Sequence, residues 1–87
     1  DPEQPEAYYN LGFLEFEAQN YERAEKLFSR AVALDSSFAD ARFNWAITLF
    51  RLKKNELAGK QLEAYLQLDP SGPWADLARQ RLMESGQ

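Results

Sequence analysis

Asp1, Asp35 and Asp69 are evenly spaced along a chain of 87 residues, and the residues around them recur as well. Asn10 is matched by Asn44, Ala24 by Ala58, and Leu34 by Leu68 at the same interval. "VALDS" and "LQLDP" each close an apolar-periodic stretch with Asp followed by a turn residue. A chain that repeats itself at such a period is built from copies of one supersecondary unit. A single unit cannot bury its apolar face, so the copies must stack on each other.

Within each copy the pattern is helical. Residues from about Glu6 to Gln19 contain no Pro and one Gly, and Asn20 interrupts them. From Tyr21 to about Leu34 one apolar stripe (Tyr21, Ala24, Leu27, Phe28, Ala31, Val32, Leu34) faces away from a charged one, the mark of an amphipathic helix. Ser37 and Asp40 have capping-box spacing and predict the start of a third helix reaching about Leu52. Asn55 is the expected N-cap of a fourth helix ending at Asp69. Pro70, Ser71, Gly72 and Pro73 then break the chain, and a fifth helix is expected from about Pro73 to Met83, with "ESGQ" frayed beyond it. No stretch alternates as a strand does. Short turns between helices make neighbours antiparallel. The expectation is an all-α array of two helix–turn–helix units with one helix left over.

These residues resemble the tetratricopeptide repeat family, whose unit of about 34 residues reads W-x2-L-G-x2-Y, then A-x3-F, then P. The first unit offers Tyr8, Leu11, Gly12, Glu15, Ala24, Phe28 and Ser36 at those places. The second offers Arg42, Trp45, Ala46, Leu49, Ala58, Leu62 and Pro70. Small residues (Gly12, Ala46, Ala24, Ala58) allow close helix approach, while Leu11, Phe28, Trp45 and Leu62 are expected to fill the space between. The resemblance implies a right-handed α–α superhelix: repeat 1 over 5–38, repeat 2 over 39–72, and a capping helix in 73–87. Residues 1–4 then read as a linker or the tail of an upstream repeat in a longer array. Two positions depart from the family pattern. Glu15 replaces an aromatic and is expected at a solvated end, or paired with a further repeat. Arg42 replaces Trp and is expected to snorkel.

The composition argues against several kinds of chemistry. The chain has neither His nor Cys, so the commonest general base, the commonest metal ligand and any thiolate are missing. There is no Gly-rich phosphate loop, and no carboxylate pair stands apart from a charged helix exterior. No catalytic, metal or cofactor role is expected. Net charge is −4, with residues 1–40 at −6 and residues 41–87 at +2. An acidic chain with only a short basic cluster (Arg51, Lys53, Lys54) argues against nucleic acid as a partner, since phosphate contacts supply most of that affinity. No stretch approaches the ~20 apolar residues of a membrane span.

The informative surplus is aromatic. The first helix carries a stripe of Tyr8, Leu11 and Ala18 with Ala7 and Leu14, and a second stripe of Tyr9, Phe13 and Phe16. Phe43, Ile47 and Phe50 repeat the second stripe one period on. A surface helix needs only one such stripe. Left partly open, the second stripe is a patch of roughly 200–300 Å² before Ile47 is added, approaching the size at which apolar surface marks an interaction site. The resemblance implies that first helices line a concave groove that takes peptides or partner helices. The expected groove is Tyr9, Phe13, Phe16, Phe43, Ile47 and Phe50, with Asn10 and Asn44 able to bond a peptide backbone. The partner is then a protein segment with apolar or aromatic side chains. The rings are otherwise core, covered by neighbouring repeats or by the last helix, and the alternative function is a structural segment that only extends an array or self-associates, the groove being spare. The family's clamp for the acidic C-termini of heat-shock chaperones falls on Tyr9, Phe13, Asn44, Trp74 and Ala78. Only Asn44 matches it, so those C-termini are not expected to bind.

Overall fold

The computed structural model describes residues 4–85. Five helices follow one another: α1 (Pro5–Glu17), α2 (Tyr21–Leu34), α3 (Ala39–Arg51), α4 (Asn55–Leu68) and α5 (Ala75–Ser85). No strand occurs among the described residues. Each helix packs on the next, and α1 also touches α3. Stacking in one direction gives an elongated body of 40 × 24 × 18 Å. Residues 1–3 of the expected upstream tail or linker (1–4) and the last residues, 86–87, lie outside the described residues.

The period extends to the backbone. Gln19 and Lys53, at equivalent places in the two repeats, are the non-glycine residues with positive φ among the described residues, at 64° and 65°. Each ends a first helix in the same way. Asn20 N–H reaches back to Glu15 O (2.8 Å) and Lys54 N–H to Leu49 O (2.9 Å), closing the open carbonyls of the last turn. The reversal that follows lays α2 against α1 and α4 against α3.

Small residues set the helix spacing. Gly12 is buried, and a Cβ there would lie 2.9 Å from two atoms of the Phe28 ring. Ala24, Ala46 and Ala58 are fully buried at the matching contacts. On α2 the buried residues Ala24, Phe28, Ala31 and Val32 follow the predicted single stripe. On α3 burial comes from two sides, through Ala41, Phe43, Ala46, Thr48 and Leu49. The larger core cluster joins Phe43, Ala46, Leu62, Tyr65 and Ala78, with Trp74, Leu66 and Leu82 packed on it. Phe43 and Trp74 stack with ring centroids 4.8 Å apart at 11°, and the Trp74 backbone N–H donates to the Tyr65 hydroxyl.

Several expectations are corrected. Leu11 does not fill the helix interface: it is 51 % exposed, and Leu14 is 65 % exposed. Helix α2 approaches α1 on the Gly12 side, which leaves Leu11 and Leu14 on a face that no helix of the described residues covers. Trp45, the counterpart of Leu11 in the second repeat, occupies the same face of α3 and is covered by α2, where its indole N–H donates to Glu25 at 3.1 Å. Trp74 and Leu77, as the apolar positions that open the last helix, are expected on the fourth helix against Leu62 and Leu66; Trp74 packs on that core but Leu77 lies outside it. Helix α5 meets α4 through Ala78 and Leu82, and Leu77 turns outward at 44 % exposure.

The capping expectations also change. Neither Ser37 nor Asn55 caps a helix by its side chain; Phe38 and Lys54 hold the N-cap positions. The Asp35 carboxylate instead accepts from the Ser37 N–H and hydroxyl at 3.1 and 2.8 Å, which folds the turn ahead of α3. Helix α5 starts at Ala75, slightly later than expected. Glu15 is tied within its own hairpin, accepting from the Asn20 amide at 2.8 Å beside Arg23 at 4.0 Å. Arg42 is engaged rather than snorkelling: it donates to Gln61 Oε1 at 2.7 Å and to Ser36 O at 3.2 and 3.3 Å. The first of these bonds satisfies a glutamine buried on α4.

Candidate functional site: a groove along the first helices

The stripe Tyr9, Phe13, Phe16 of α1 runs alongside Asn44 and Ile47 of α3 and Leu77 of α5. Two recesses open along it. The first, about 410 Å³, is lined by Tyr9, Asn10, Phe13 and Leu14. The second, about 490 Å³, lies between α1, α3 and α5, and is lined by Phe16, Phe43, Asn44, Ile47, Leu77, Gln80 and Glu84 with the side chains of Arg51 and Arg81. Phe16 and Arg51, from different repeats, thus come together in one hollow.

The eight expected groove residues differ in their availability. Phe13 is the most open of the aromatic rings, at 42 % exposure. Asn10 is exposed beside it. Tyr9 is half-buried, its ring 5.8 Å from Phe28 and 5.1 Å from Phe38. Phe16 is half-buried, edge-on to Tyr21 at 5.3 Å. Ile47 is half-buried on the rim of the α3–α4 core. Phe50 is half-buried under the Arg81 guanidinium, 4.8 Å from its ring centroid, and does not line either recess. Phe43, expected in the open stripe, is 6 % exposed. Trp74, arriving from the loop before α5, covers its face, so Phe43 is core and only the floor of the second recess.

The asparagines differ too. Asn44 uses both amide hydrogens, donating to the Tyr9 hydroxyl at 3.2 Å and to Asp40 O at 3.0 Å. Its capacity to donate to a peptide is therefore spent, and its carbonyl oxygen is what remains. The bond to Tyr9 links α1 directly to α3. Burial, with a smaller contribution from the Asp40 carboxylate, raises the Tyr9 phenol above its ordinary value of 10.0. The hydroxyl thus stays protonated at neutral pH, and its oxygen accepts from Asn44. Leu77, Arg51 and Arg81 fall outside the groove expected from sequence. The sequence signal for Leu77 is its place one period after Phe43. Arg51, in the last turn of α3, and Arg81, in the C-terminal half of α5, stand one helical turn beyond Ile47 and Leu77, respectively, on the same helix faces.

Among the described residues no group of three acidic, His or Cys side chains gathers as a metal site does, and no helix is long and apolar enough to cross a membrane. A solved structure described as the crystal structure of MamA shares this fold, with a TM-score of 0.87 at 24 % identity. The match covers 99 % of this chain and 51 % of the other, so the chain spans about half the length of that protein. The sequence model described as tetratricopeptide repeat matches residues 1–37 and 9–73. With the repeated hairpin, the small-residue contacts and the shared period all in place, the chain belongs to the tetratricopeptide repeat family.

Proposed function

We propose that this domain is a protein-interaction module that takes an apolar or aromatic-bearing segment of a partner into the groove along α1, α3 and α5. Tetratricopeptide repeats generally mediate protein–protein interaction or scaffolding and are typically not enzymes. The observation that carries the finer reading is the stripe of Tyr9, Phe13, Phe16 and Ile47, which keeps open surface beside two recesses while the α2 stripe is buried. Open aromatic surface in a concave setting is where interface energy concentrates. The test is titration with a synthetic amphipathic helical peptide carrying a Leu/Phe stripe, against the native chain and Phe13→Ala. The variant is expected to lose about 2 kcal/mol of binding, roughly thirtyfold in Kd. Glu63→Ala, exposed on α4, is expected to bind as the native chain does. Equal binding by Phe13→Ala overturns the reading.

The groove reading carries a negative corollary. The clamp positions for acidic chaperone C-termini hold Tyr9, Phe13, Asn44, Trp74 and Ala78, with no cation among them and the Asn44 donors already used. Without a charge-assisted grip, a short acidic C-terminal peptide is expected not to bind. A second reading, structural stacking of another helix on α1, is favoured by the exposed Leu11 and Leu14. It requires concentration-dependent association in sedimentation that Leu14→Gln abolishes.

A further inference from the structure

The recess between α1, α3 and α5 has an apolar floor and a cationic rim. Phe16, Ile47 and Leu77 line the floor, and the side chains of Arg51 and Arg81 stand beside them. Arg51 is the last residue of α3. Its guanidinium lies 5.6 Å from the Phe16 ring centroid and 5.5 Å from that of Tyr21, and it donates to the Tyr21 hydroxyl at 2.9 Å. The α1–α2 hairpin therefore holds it in place before any ligand arrives. Among the described residues no carboxylate pairs with it. A guanidinium has five N–H donors, and the bond to Tyr21 engages one. Arg81, its guanidinium 4.8 Å from the Phe50 ring centroid, also lines the recess. Glu84 is the acidic residue in the lining, and it accepts from Gln80 at 3.4 Å. In a chain of net charge −4, Arg51 puts a positive charge at the rim of this recess.

Resting on the groove reading above, we propose that the recess receives an amphipathic helix of a partner protein. The helix seats an apolar side chain among Phe16, Ile47 and Leu77 and presents an Asp or Glu side chain, one turn away, to Arg51. Charge complementarity selects the carboxylate. The geometry selects a helix over an extended strand. The amide donors of Asn44 are already committed, so an extended backbone loses that pair of donors, whereas a helix satisfies its own backbone and leaves Arg51 for a side-chain carboxylate. A guanidinium fixed by two rings loses little freedom on binding, and its bond to a carboxylate is charge-assisted.

The test uses two synthetic helical peptides with the same Leu/Phe stripe, one with Glu and one with Lys a turn from the central apolar residue, titrated calorimetrically. The Glu peptide is expected to bind about tenfold more tightly at low salt, with the advantage shrinking as salt screens the pair. Arg51→Gln is expected to remove most of that advantage without weakening the Lys peptide. Because Arg51 also braces the hairpin and Arg81 lies over Phe50, Arg81→Gln serves as the second variant, expected to reduce the advantage, and each variant's melting curve is recorded so that the loss is read on a folded chain. Equal binding of both peptides, or an advantage insensitive to salt and to both variants, overturns the cationic rim and leaves the groove reading standing. Binding by neither peptide overturns the groove reading and the rim with it. A short acidic peptide without the apolar stripe that binds as well as the Glu peptide overturns the proposal that both contacts are needed.

Discussion

Gly12 and Gly59 both sit inside helices, where glycine costs stability relative to alanine, yet the two positions are not alike. At Gly12 a Cβ meets the fully buried Phe28 ring at 2.9 Å and the Leu27 Cβ at 3.3 Å. Gly12→Ala is expected to destabilise by on the order of 1 kcal/mol in urea unfolding, overpacking outweighing the gain in helix propensity. At Gly59 the nearest atom is Leu82 Cδ2 at 3.6 Å, an ordinary contact. Gly59→Ala is expected to stabilise by roughly 0.5–1 kcal/mol. The same contrast separates two phenylalanines that look equivalent in sequence. Phe43 is 6 % exposed and stacked on Trp74, so Phe43→Ala is expected to cost about 3–5 kcal/mol of stability. Phe13 is 42 % exposed, and Phe13→Ala is expected to lower the melting temperature far less while it weakens peptide binding.

Helix α5 is not a full repeat, yet it completes the core of the second one. Ala75 is buried, Ala78 is buried with Leu62 and Tyr65 of α4, and Trp74 covers Phe43 and Tyr65. Deleting residues 72–87 is expected to bare those rings and cost several kcal/mol, comparable to losing two large core side chains. A truncated chain that keeps its melting temperature contradicts this. The helices were legible because the repeat period fixes their number and the helical periodicity of the apolar residues fixes their type. Their ends were less so. Ser37 and Asn55 have the chemistry of caps, but the turn before α3 is held by the Asp35 carboxylate. The reversals after α1 and α3 are backbone motifs that Gln19 and Lys53 adopt without glycine.

At the scale of the whole molecule, repetition gives the fold but not the fate of each stripe. The two stripes of α1 are both apolar, one mostly aliphatic and one aromatic. Which one is open depends on where α2 and α3 lie, and no local pattern encodes that. Leu11 and Leu14 emerge exposed, and Tyr9 and Phe16 half-covered. Phe43 is lost to the core because Trp74, distant in sequence and carried by the loop before α5, stacks on it. Arg51 was readable as a charge near a helix end but not as a groove residue, since its position comes from contacts with Phe16 and Tyr21 in the other repeat. The central claim is that partners are taken along α1, α3 and α5. The most direct measurement is NMR of the isotope-labelled chain during titration with the Glu-flanked helical peptide. Amide shifts are expected to concentrate at Asn10, Phe13, Phe16, Asn44, Ile47, Arg51 and Leu77, with Ser29 on α2 and Glu63 on α4 unmoved. Shifts centred on α2 and α4, with the groove residues silent, contradict it.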